Sequence, residues 1–137
     1  MAHFRLGLAY AALGQFAEAM AELEIARSLS NDRDVIAAIG FVRAQMGDRD
    51  GALAAIAEVE ARAKDTFVSP YTVAVIRAAL GDRDRALALL ERACDERSYW
   101  VIYLDVDPAL APLRGDARFG ELRQRVFSGT ARRAAGA

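Results

Sequence analysis

Cysteine occurs once in the 137 residues, at Cys94, and histidine once, at His3. A single thiol excludes an internal disulfide and a thiolate metal cluster. A single histidine near the start leaves no Ser/His/Asp or Cys/His set to build around a buried nucleophile. No glycine loop precedes a strand, because no stretch reads convincingly as a strand. An excess of charge of one sign is missing too: 18 Lys and Arg stand against 19 Asp and Glu, for a formal net charge of −1. That balance gives no chain-wide attraction to nucleic acid or anionic lipid. No apolar run approaches the ~18 residues of a membrane span, and no signal peptide is recognisable. A non-enzymatic, cytoplasmic chain without metal or cofactor is the expectation.

What the chain has is apolar content, 54 % of residues and much of it alanine, and a repeat. Gly47-Asp48-Arg49-Asp50-Gly51-Ala52-Leu53-Ala54 returns as Gly81-Asp82-Arg83-Asp84-Arg85-Ala86-Leu87-Ala88, 34 residues on. A looser copy, Leu13-Gly14-Gln15-Phe16-Ala17-Glu18-Ala19, places Gly14 33 residues before Gly47. A period of that length with helical apolar spacing indicates stacked helical hairpins.

Helix boundaries follow from caps. The first helix spans about Ala2–Leu13 and the second about Phe16–Leu29, with Gly14 between them suited to a left-handed cap. Ser30-Asn31-Asp32 supplies the N-cap of a third, about Asp34–Met46. Asp48 and Asp50 open a fourth, to about Lys64, at the positive end of its dipole. Ser69-Pro70 caps and starts a fifth, ending at Leu80. Asp82 and Asp84 open a sixth, to about Arg97. Residues 98–106, rich in aromatic and β-branched types, read as an irregular connection. Asp107-Pro108 starts a short helical piece, and Asp116 caps a last helix to about Phe127. Residues 128–137 lack large apolar groups and read as a disordered tail.

On the helical wheel each odd helix shows two stripes. One carries Ala2, Leu6, Ala9 and Leu13; then Val35, Ile39, Val42 and Met46; then Ser69, Val73, Ile76 and Leu80. It should face the preceding hairpin. The other carries Phe4, Leu8 and Ala11; then Ala37, Phe41 and Ala44; then Tyr71, Val75 and Ala78. Between them Gly7, Gly40 and Ala74 should meet Ala19, Ala52 and Ala86 of the second helices, where tight crossing needs small residues.

Leu6-Gly7-x-x-Tyr10 followed by Ala19, Leu23 and Ala26 resembles the tetratricopeptide repeat, as do Ile39-Gly40…Ala52…Ile56…Val59 and Val73-Ala74…Ala86…Leu90…Ala93. The pattern departs where the family's first-helix tryptophan is His3 and where Tyr10 is answered by Arg43 and Arg77. The resemblance implies an all-α fold: a right-handed superhelical array of three hairpins, about 1–31, 32–65 and 66–97, and a C-terminal cap over 98–127. It also implies a concave groove, here lined by Phe4, Leu8, Phe41, Gln45, Tyr71 and Val75. From Val68-Ser69-Pro70-Tyr71 through Asp107-Pro108 to Pro112-Leu113-Arg114-x-Asp116-x-Arg118-Phe119 the chain is similar to the last repeat and cap of some bacterial multidomain signalling proteins.

Three functions compete. A protein-interaction scaffold holding an apolar peptide or protein segment fits the groove. A regulatory or oligomerisation segment of a bacterial signalling or transcription-regulatory protein is the alternative. A helical-repeat RNA binder is a third, with Arg43 and Arg77 as a ladder at equivalent places. Pairing of those arginines with Glu58, Glu60 or Glu91 explains them without RNA, and the balanced charge argues against a nucleic-acid partner. Asp105 and Asp107 resemble a metal-binding pair, but capping before Pro108 accounts for them. Trp100, Val101, Ile102, Tyr103 and Leu104 should cover the open end of the last hairpin. The stripe Ala2, Leu6, Ala9 and Leu13 has no earlier hairpin in this chain to pack on, so the expectation is either that the protein continues upstream or that this face docks on a second copy, as a homodimer through the N-terminal helix face.

Overall fold

The computed structural model describes residues 2–64, 68–96, 104 and 107–135, with the backbone alone at residues 108 and 128–135. The fold is all-α, without a strand among the described residues. Seven helices follow in order: α1 Ala2–Ala12, α2 Phe16–Leu29, α3 Arg33–Gln45, α4 Arg49–Arg62, α5 Pro70–Ala79, α6 Arg83–Asp95 and α7 Ala117–Ala135. A 3-10 segment, Pro108–Leu113, precedes α7. The chain forms two compact units, residues 1–68 and 69–137.

Unit one holds two hairpins, α1 on α2 and α3 on α4, with α3 also packed on α2. The turns are set by glycine. Gly14 and Gly47 adopt φ of 76° and 82°, and the residue after each donates its N–H to a carbonyl of the closing helix turn. Only glycine takes that left-handed conformation without a Cβ penalty. Asp32 and Asp48 cap α3 and α4 by accepting from Asp34 N at 2.8 Å and Gly51 N at 3.0 Å. The hairpin crossing is tight: a Cβ on Gly7 would lie 2.7 Å from Leu23 Cγ and 3.3 Å from the Ala19 carbonyl oxygen. Around it Ala19, Leu23, Ala26, Val35, Ile39 and Val42 form one buried cluster. The stripe Val35, Ile39, Val42 therefore does face the preceding hairpin. Met46 leaves it, 52 % exposed, because it is the C-cap residue where the chain turns into Gly47.

Unit two pairs α5 with α6 and sets the 3-10 segment on α5 and α7 on α6. Ser69 Oγ accepts from Tyr71 N and Pro70 occupies the first turn. Asp82 repeats the sequence of Asp48 but makes no capping bond. Gly51 leaves the space that the Asp48 carboxylate fills, since a Cβ there would sit 2.3 Å from Asp48 Oδ2. Arg85 has a Cβ at the matching place, and Asp82 turns to the guanidinium groups of Arg77 and Arg85 instead.

One expectation is corrected. The last helix runs past Phe127 to Ala135. Residues 128–135 carry no large apolar group and open with the weak helix formers Ser128-Gly129-Thr130, but the alanines and arginines of 131–135 are strong ones. The short helical piece after Asp107 is of the 3-10 type, Pro108–Leu113, with Pro112 inside it. Of the covering strip, Leu104 is fully buried, while Trp100, Val101, Ile102 and Tyr103 lie outside the described residues.

Candidate partner-binding face

The groove residues separate into two settings. In unit one, Phe4 and Leu8 stand on α1 and Phe41 and Gln45 on α3, and these helices touch. Phe4 and Phe41 are half-buried against the same apolar cluster. Leu8 is 43 % exposed and Gln45 is exposed. These four combine an anchored aromatic base with accessible apolar and amide groups.

In unit two the same helical register is covered. Tyr71 is 5 % exposed and packs with Leu104, Leu110, Leu113, Phe119 and Leu122; Val75 is half-buried against that cluster. Tyr71 Oη donates to Asp107 Oδ2, while Asp107 Oδ1 accepts from Ala109 N at 2.9 Å. Burial, reinforced by the facing Asp107 carboxylate, pushes the Tyr71 hydroxyl pKa far above its ordinary value. One carboxylate thus caps the 3-10 segment and ties it to α5. Tyr71 is a core and latch residue, and the chain's own C-terminal segment covers it. The sequence marked Asp107 as a cap but carried no sign of its second partner.

Arg43 and Arg77 are engaged internally. Arg77 donates to Asp82 at 3.5 Å with only 13 % of its side chain exposed. Arg43 lies 4.0 Å from Glu24, and its Cδ sits against Gly51. The partners differ from those the sequence suggested: Glu58 is held by Arg27, with both oxygens accepting at 2.9 and 3.0 Å. Neither arginine is presented as one rung of an open ladder.

A second concavity, about 400 Å³, runs between α6 and α7, with Leu87, Glu91, Leu122 and Arg125 among its lining residues. Its mouth is braced by salt bridges. Arg118 reaches Asp84 at 2.8 Å and Asp116 at 2.9 Å, and Arg125 reaches Asp95. The Arg118 bonds hold the Asp116 carboxyl down at about 2. Cys94 is half-buried, and burial raises its thiol pKa, which makes it a packing residue rather than a nucleophile. Among the described residues, no three His, Cys, Asp or Glu side chains converge as metal ligands. No helix among them is long and apolar enough to cross a membrane.

The tetratricopeptide repeat family model matches residues 2–32, the α1–α2 hairpin. That match falls on a hairpin whose plan the next two repeat. The match and the helical-hairpin array together support a tetratricopeptide-repeat protein. No curated protein and no solved structure matches it. A tetratricopeptide repeat is a protein–protein interaction module of a family that is generally non-catalytic. The match ends at Asp32, the N-cap of α3.

Proposed function

We propose that this tetratricopeptide-repeat protein is a non-catalytic scaffold that holds an apolar segment of a protein or peptide partner. The segment lies on the face of α1 and α3 that carries Phe4, Leu8, Phe41 and Gln45. The observation that carries the reading is the contrast within one helical register. Tyr71 and Val75 are covered by leucines of the chain's own C-terminal segment, whereas Leu8 is 43 % exposed. A face of this register therefore accepts leucine side chains, and in unit one Leu8 stays 43 % exposed among the described residues. Gln45 would offer its amide to the backbone of an extended or helical segment, which orients an otherwise greasy contact.

The reading is tested by selecting peptides from a displayed random library on the intact protein and counter-screening on Leu8→Glu with Gln45→Ala. Both positions are exposed, so the variant should keep its helical circular dichroism. Enriched peptides should be leucine- or aromatic-rich and lose binding to the variant. Peptides that bind both proteins equally, or a selection that enriches nothing, would refute the groove.

A further inference from the structure

The outer side of the first hairpin is unfinished. On α3 the stripe Val35, Ile39 and Val42 is 3 %, 1 % and 0 % exposed, because α2 packs on it. On α1 the matching residues Ala2, Leu6 and Ala9 are all exposed, Leu6 at 43 %, and Leu13, just past the helix end, is 74 % exposed; Met46 is exposed too, at the same turn position after α3. Beside it runs a stripe of α2, Glu18, Glu22, Ile25 and Leu29, tied to α1 by the His3–Glu22 contact of 2.6 Å. Ile25 is 41 % and Leu29 72 % exposed. Leu6, Leu13, Ile25 and Leu29 are thus four of the seven large apolar side chains exposed among the described residues.

The charges on this face are sorted by helix. α1 carries His3 and Arg5 and no acid; α2 carries Glu18, Glu22 and Glu24. Arg27, the one base of α2, is taken by Glu58, and Glu24 stands near Arg43. Arg5 and Glu18 have no hydrogen bond or ion pair to any described residue. A surface with an apolar middle, one basic edge and one acidic edge is complementary to itself once rotated by half a turn: α1 of one copy then lies over α2 of the other.

We infer that this face binds a second copy of the chain. The two hairpins meet about a two-fold axis, the leucines of α1 and α2 pack in the middle, and each Arg5 edge faces the Glu18 edge of the other copy. The contact is distinct from the groove, whose residues lie elsewhere on α1 and on α3.

Sedimentation equilibrium across a dilution series tests this, on the parent and on four variants. The parent should gain mass toward two copies as concentration rises. Leu6→Glu with Leu13→Lys should stay at one copy while keeping its helical circular dichroism. Arg5→Glu alone and Glu18→Arg alone should each associate about tenfold more weakly than the parent, since both edge pairs become repulsive. An equimolar mixture of those two variants should recover the loss, because in the mixed pair both edges attract again. The groove variant Leu8→Glu with Gln45→Ala should associate like the parent. A parent that remains one copy throughout, a Leu6/Leu13 variant that associates as the parent does, a mixture no tighter than its components, or a groove variant that fails to associate would each overturn the proposal. Loss of peptide binding with association intact would sink the groove reading alone.

Discussion

Gly7→Ala adds one carbon atom at the crossing of α1 and α2, and two terms of opposite sign compete. Alanine is the better helix former by about 1 kcal/mol. The new Cβ, however, would stand 2.7 Å from Leu23 Cγ and 2.8 Å from Leu23 Cδ2, well inside ordinary contact. Leu23 cannot swing aside into solvent, being fully buried between α1 and α3. Overpacking of that kind costs about 1–3 kcal/mol. The net expectation is a loss of about 1 kcal/mol in urea-unfolding stability, read by helical circular dichroism. A double-mutant cycle isolates the cause. With Leu23→Ala in the background the two closest atoms are gone and only the Ala19 carbonyl oxygen at 3.3 Å remains, so Gly7→Ala should lose most of its cost and at best turn stabilising by about 1 kcal/mol, the full propensity gain. If Leu23→Ala unfolds the protein, Leu23→Val removes the clashing Cδ2 and should show the same change in smaller measure. A Gly7→Ala cost that is the same in every background would refute the reasoning, because the clash with Leu23 would then not be its source.

Four further outcomes follow from the structure. Tyr71→Phe should lower stability by about 1 kcal/mol, the net worth of one hydrogen bond, and Tyr71→Glu should unfold the second unit rather than merely blunt a binding face. The Tyr71 hydroxyl is held neutral in the folded state, so its contribution is complete below the ordinary tyrosine pKa of about 10 and is lost as pH rises above it; alkaline titration of Tyr71→Phe should show a shallower fall than the parent. Asp116 is depressed to about 2 by Arg118, so its contribution is present above the ordinary carboxylate value and is lost as pH falls through that window; Asp116→Asn should flatten the acid limb of an unfolding series there. Gly47→Ala should cost about 1–2 kcal/mol through its positive φ alone, since nothing lies within 4 Å of the added Cβ.

The helices were legible because each signal was local. Asp32 before α3, Asp48 before α4 and Ser69-Pro70 before α5 place the starts, and Gly14 and Gly47 mark the turns. The small-residue crossing at Gly7 was legible too, since the repeat aligns it with Ala19 and Leu23. What the sequence hid depends on contacts between distant residues. On the wheel Tyr71 and Val75 take the places of Phe4 and Leu8, and nothing in that pattern says that a segment 36 residues on from Tyr71 covers one pair. The same holds for Arg43 and Arg77, whose acids were misassigned because Glu24 is brought to Arg43 by the packing of α3 on α2 and Asp82 to Arg77 by the turn after α5. Asp82 shows the limit most plainly: it repeats the motif of Asp48, yet one Cβ at position 85 in place of Gly51 accompanies a different set of partners.

The most direct measurement of the central claim is amide and methyl chemical-shift mapping of the intact protein titrated with a peptide enriched by the display selection. The account predicts saturable shifts at Phe4, Leu8, Phe41 and Gln45, with the methyl groups of Leu104, Leu110 and Leu113 over Tyr71 unmoved. Shifts confined to those leucines, or to the α6–α7 seam at Leu87 and Leu122, would contradict it.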